Sequence, residues 1–196
     1  DSNVRLPNKI LITSRFREFK ADYPIAVGGM EEPEARALIR QTAEALGIQD
    51  VLDDEYCRRI AEESDGHPYV IKIMLGEVAD SKKTGRPKHI IARKDDVLDA
   101  LFERTFANLS PLSSRVFLTL SGWRSLVPQL AVEAVLLRDQ SEQIDVSGAV
   151  DELVRMSLVQ RVTAPDNSEF LDVPLTAAIF GSRKLAVSPI KIIIEN

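Results

Sequence analysis

Few residues of this 196-residue chain have the type and spacing that chemistry needs. His67, His89 and Cys57 are its whole supply of imidazole and thiol groups, which argues against a dedicated zinc site. Neither histidine stands in the context of a Ser-His-Asp site. The chain has no Gly-x-x-x-x-Gly-Lys-Ser/Thr loop to cradle phosphates, and no apolar strand ending in the paired acids that hold magnesium. Glu62-Glu63 reads as a solvated helix face rather than an acid/base pair, so no catalytic constellation emerges. Two places remain. One is Arg15, which closes the apolar run Lys9-Ile10-Leu11-Ile12-Thr13-Ser14-Arg15, and the other is the corner Gly66-His67-Pro68.

The elements that would position these residues read as follows. The opening run predicts a strand buried on both faces, as in a parallel sheet. After a loop containing Pro24 and Gly28-Gly29, a helix starts at Glu31-Glu32-Pro33-Glu34. It keeps Ala35, Leu38, Ile39, Thr42 and Leu46 on one side and ends at Gly47. A second helix is expected over about Asp53 to Ser64, with Tyr56, Ile60 and Ala61 on one face. Gly66-His67-Pro68 breaks the chain, and a third helix turns Val70, Ile71, Met74, Leu75 and Val78 inward. Three short helices with tight turns make a small bundle.

The stretch from Ser81 to Lys94 carries Lys82, Lys83, Arg86, Lys88, Arg93 and Lys94 with no acid, and reads as a basic linker. Helical spacing resumes at Asp95 with Val97, Leu98, Leu101, Phe102 and Phe106. Ser110-Pro111 opens another helix, with Trp123 just past its end. Pro128 opens a third, with Leu130, Val132, Ala134, Val135 and Leu136, and Asp145 to Met156 forms a fourth. Leu158 to Val162 and Glu169 to Val173 read as strands joined by the turn Pro165-Asp166-Asn167-Ser168. Helices followed by a two-stranded wing make a winged-helix arrangement. Ser188-Pro189 begins like a helix, although Ile192-Ile193-Ile194 would also suit a strand. Both ends read as cut.

No apolar run of about 18 residues spans a bilayer, and the first residues do not form a leader. A lone cysteine fits a reducing compartment, so the expected location is cytoplasmic. The net charge of -5 is not the footprint of a nucleic-acid binder.

Three segments carry a family resemblance. Ile10-Leu11-Ile12-Thr13-Ser14-Arg15 resembles the sensor 1 strand of signal-transducing P-loop ATPases with numerous domains (STAND ATPases), a group that includes NB-ARC and NACHT immune receptors and bacterial relatives. In that family the strand's Arg approaches the γ-phosphate, a role that falls on Arg15. A guanidinium at the carboxyl end of a central strand sits where α/β sheets bind nucleotides. Ile60 to Gly76 is similar to the family's helical lid with its Gly-x-Pro signature, whose Pro packs on adenine. The matching residues are Gly66, which allows the tight turn, and Pro68. The predicted winged helix resembles the one that follows the lid, where a His near the wing reads the β-phosphate of ADP. In Leu171-Asp172-Val173-Pro174-Leu175 the matching position is Val173, and the likeness continues through Phe180 to Pro189. A Val cannot hydrogen-bond a phosphate, which puts ADP locking by that route in question.

The resemblance implies a mainly α chain: a core remnant over 1–29, the lid over 30–80, a basic linker over 81–94, the winged-helix domain over 95–187 and the start of a following helix over 188–196. It also implies ATP or ADP as ligand, with magnesium supplied by a core outside this sequence. The implied partners are that core and flanking effector and sensor domains, in a parent ATPase that can oligomerise, while this piece itself does not turn over substrate. Two other readings stand beside it. One is a DNA-binding winged-helix regulator, against which the acidic segment Asp145 to Glu152 speaks. The other is an interaction module with no nucleotide link.

Overall fold

Local signals at the helix ends account for most of the architecture. The computed structural model describes residues 12–13, 25–81, 97–123, 125–136, 144–189 and 191. Helix α1 (Glu32–Leu46) starts where the Glu34 carboxylate accepts the Glu31 N–H at 3.0 Å. It stops at Gly47, whose φ of 65° is the left-handed cap. After a 3-10 turn, Gln49–Val51, Asp53 caps helix α2 (Asp54–Glu63) by accepting from Tyr56 N–H at 2.6 Å. Helix α3 (Pro68–Ser81) follows with Pro68 in its first turn.

Helix α4 (Val97–Asn108) leads to Ser110, which accepts the Ser113 N–H at 3.1 Å and opens helix α5 (Pro111–Ser121). Helix α6 (Gln129–Leu136) comes next. Helix α7 (Val146–Arg155) begins where Asp145 accepts Gly148 N–H at 2.8 Å. Strands β1 (Gln160–Thr163) and β2 (Glu169–Asp172) pair antiparallel, with Val162 opposite Phe170. Asn167, at φ 64°, and Asp166, which accepts Ser168 N–H at 3.0 Å, close the hairpin. Helix α8 (Leu175–Ala186) completes the order. The described residues are thus mainly helical, with one small antiparallel sheet.

The apolar side chains of both halves form one continuous core. Helix α3 is its hinge. Val70, Ile71, Ile73, Met74, Leu75, Val78 and Ala79 are all buried, so the helix is apolar nearly all round rather than on one stripe. It packs on α1 and α2 on one side and on α4 and α7 on the other. In the second half, Phe102, Phe106, Phe117 and Phe180 form an aromatic cluster. Phe102 stacks on Phe180 at 5.3 Å between ring centroids.

Several expectations need correction. Of the predicted opening strand, only Ile12 and Thr13 lie among the described residues. They are in neither strand nor helix, and Ile12 is 58% exposed. Arg15 and nearly all of the basic 81–94 stretch lie outside the described residues. Leu130 and Ala134, expected inside their helix, are exposed. Helix α6 is short and packs along one line only, burying Val132 and Leu136. Leu158 and Val159 are buried but not yet strand. Both N–H groups donate to the Leu153 carbonyl, at 3.0 and 3.3 Å, and cap α7 instead. Past α8, Lys191 is helical and its N–H donates to Ser188 O at 3.2 Å, and the rest of the helix expected from Ser188-Pro189 lies outside the described residues.

Candidate functional site

The corner between α2 and α3 is held from below by its own backbone. Ser64 is buried and its hydroxyl donates to Ala61 O at 3.0 Å, closing α2. Asp65 and Gly66 then take left-handed conformations in succession, at φ 49° and 65°. Gly66 N–H donates to Ala61 O at 3.2 Å, and His67 N–H to Ser64 O at 2.9 Å. The imidazole of His67 continues the turn as a cap: its Nδ1 accepts Tyr69 N–H at 3.2 Å. That supplies an acceptor that the N–H donors in the first turn of α3 would otherwise lack.

A second strand of chain lies across this corner. Met30 N–H donates to the Gly66 carbonyl at 2.9 Å. A Cβ on Gly66 would run into the backbone N and O of Met30, and one on Gly29 into the carbonyl of Asp65. Two glycines therefore let two backbones touch, which no side chain would permit. The result is an extended arm fixed against the turn. Pro68 and His67 stay exposed above it, and the arm carries the exposed apolar side chains Ile25 and Val27.

Tyr69 points the other way, into the molecule. Its ring meets Phe102 edge-on at 5.7 Å, and its hydroxyl donates to the Ser157 carbonyl at 2.8 Å. Burial pushes its pKa well above the usual tyrosine value. Around it, Arg104 holds Glu77 with two bonds of 2.7 and 2.6 Å, and Arg155 reaches Asp80 at 3.3 Å. Gly76 lies so close to the end of α7 that a Cβ would stand 2.5 Å from the Arg155 carbonyl oxygen.

Val173 is placed elsewhere. It follows β2, is half-buried, and lines a groove of about 770 Å³ between α5, β2 and α8. Trp123, Val127, Leu175 and Ile179 supply apolar walls, and Asp172 and Arg183 the charges. The residues lining this groove run from Leu120 to Arg183, so the Gly66 corner contributes nothing to it. The structure thus gathers Gly66 and Pro68 into one corner and leaves Val173 in a separate depression. The sequence missed the Gly28-Gly29-Met30 arm as part of the corner, although the glycine pair was visible. It also missed Tyr69, for which no local signal exists.

Among the described residues no group of His, Cys, Asp and Glu could hold a metal ion, and no helix is long and apolar enough to cross a membrane. Neither protein-family models nor curated proteins match the chain.

Proposed function

We propose that this chain is the regulatory portion of a signal-transducing P-loop ATPase, with α1–α3 as a nucleotide-facing lid and α4–α8 with the hairpin as a winged-helix module. The observation that carries the reading is the corner itself. The left-handed Asp65-Gly66 turn, pinned on the Gly29-Met30 arm, leaves Pro68 exposed at the start of a buried helix. An exposed, conformationally restricted proline ring suits an aromatic base better than a charged group. The phosphates would then be read by residues of a P-loop core, with Arg15 as the closest candidate in this sequence. A corner that offers adenine a proline ring and no phosphate-binding group would serve a lid that senses ATP or ADP and leaves hydrolysis and magnesium to that core.

The winged-helix part of the reading rests on connectivity. The order is α5, an extended residue Val127, α6, α7, β1 and β2. Val127 and Leu171 exchange both backbone bonds, at 3.0 and 2.7 Å, so Val127 acts as a third short strand beside β2. A DNA-binding role for this module is disfavoured. The hairpin's single basic residue, Arg161, is drawn onto Asp151 at 2.6 Å, and Asp145 and Asp151 make the exposed face of α7 acidic.

A switch of this kind requires nucleotide to contact the lid differently in its two states. The test is calorimetric titration of ATP and ADP into the protein joined to its core, with Pro68→Ala and Arg15→Ala. Pro68→Ala is expected to weaken both nucleotides about three- to tenfold, in line with the loss of one stacking contact. Arg15→Ala should weaken ATP more than ADP. Unchanged affinities in both variants would end the reading.

A further inference from the structure

Tyr69 follows the exposed Pro68 directly and reaches 88 positions along the chain to the Ser157 carbonyl. Ser157 is no ordinary partner. It sits at φ 59° in the corner where α7 turns into β1, and its own hydroxyl faces the Lys72 carbonyl of α3 at 3.4 Å. The same tyrosine ring meets Phe102, which stacks on Phe180 of α8. One side chain in the first turn of α3 therefore touches the entry to the hairpin and the cluster that seats α8. We propose that Tyr69 is a positioning residue that couples the Pro68 corner to the α7–β1 corner, so that a change in the first turn of α3 moves the hairpin.

This rests on the nucleotide-lid reading only for what drives the first turn. The mechanical link stands on the Tyr69–Ser157 bond and the Tyr69–Phe102 contact. The neighbouring Arg104–Glu77 and Arg155–Asp80 pairs fasten the two halves as well, but they lie further along α3 and do not touch its first turn. Spatial closeness alone does not establish coupling, and a double-mutant cycle does.

The experiment is amide hydrogen exchange on the 196-residue chain for the wild type, Pro68→Ala, Tyr69→Phe and the double variant. Tyr69→Phe keeps the ring on Phe102 and removes only the hydroxyl. Leu158 and Val159 amides in the α7–β1 corner should exchange roughly fivefold faster in Tyr69→Phe, the loss of about one hydrogen bond. Pro68→Ala should also speed them about threefold, but should have no added effect once the hydroxyl is gone. Amides of α2 serve as the reference and should keep their rates. Additive effects, or a corner indifferent to Tyr69→Phe, overturn the coupling. The same measurement with ADP added to the protein joined to its core separates the two ideas. If ADP protects no amide near Pro68, the nucleotide reading fails while the cycle still decides the link. If ADP does protect that corner, it should alter exchange at Leu158 in the wild type and not in Tyr69→Phe, and an equal response in both sinks the coupling.

Discussion

The Gly66 corner and the groove at Val173 were both marked by the same family resemblance, and they are built in opposite ways. At the corner, five successive residues from Ser64 to Pro68 have their backbone course set by hydrogen bonds, two left-handed residues and a touching second chain segment. At the groove, Val173 lies between a strand end and Pro174, and its neighbours Leu175 and Ile179 are 72% and 46% exposed. The first is over-determined and the second is loosely walled. A site that must read a ligand by shape needs the first kind of construction, because residues left free to move pay an ordering cost on binding. Under the function proposed above, the contrast favours α1–α3 as the sensing half and leaves α4–α8 with the hairpin as the half that responds.

The sharpest way to break this contrast is at Gly66. Gly66→Ala adds a Cβ against the Met30 backbone and strains φ at 65°, and is expected to cost about 2–4 kcal/mol by urea denaturation. Gly47 has the same φ of 65° but open space around it, so Gly47→Ala should cost only about 1 kcal/mol. Equal losses would mean that backbone strain alone, and not the crossing arm, holds the corner.

Next comes the contact between the two halves. Gly76→Ala forces a methyl toward the Arg155 carbonyl and should destabilise by about 1–3 kcal/mol, read from the same denaturation curves. A neutral result would show that α3 and α7 separate readily.

A smaller effect is expected at Glu152, which belongs to α7 in the second half yet is tightly held. Partial burial pushes its carboxyl up, but hydrogen bonds from Ser113 and Ser110 and the charge of Arg155 outweigh this and hold it below the ordinary value of 4.5. A carboxylate with a lowered folded pKa stabilises the fold above its unfolded value. That contribution disappears as the pH falls through the folded value. Glu152→Gln should therefore cost about 1 kcal/mol at pH 7 and progressively less below pH 4.5. Thermal melts of both proteins across that range would expose a contribution that does not fade with acid.

The smallest change is expected at the groove. Val173→His introduces the residue that the resemblance calls for, and it should alter stability by no more than about 0.5 kcal/mol because the groove has room. A loss above about 1 kcal/mol would show that the groove is as closely determined as the corner.

Much of the chain was legible because its helix ends are written locally. Asp53, Ser110 and Asp145 each cap a helix within three residues of themselves, and Gly47 and the Pro165-to-Ser168 turn act over similar distances. Helix α8 was missed although Ala177, Phe180 and Leu185 keep helical spacing, since Pro174 offers no side-chain cap to mark its start. Val127 gave no strand signal, because one residue pairing with Leu171 has no periodicity to read.

By itself the sequence determined where α1, α2, α5 and α7 begin, which glycines and prolines make the α2–α3 turn, and that the described residues are mainly helical. Those properties depend on torsions and hydrogen bonds a few residues long. Only the tertiary structure decided that Gly29 and Gly66 face each other, that Val173 lies apart from them, and that the Tyr69 hydroxyl finds Ser157. Each of those depends on which surfaces meet when α3 is buried from both sides. Burial is driven by apolar area and does not specify, residue by residue, which polar group will lie opposite.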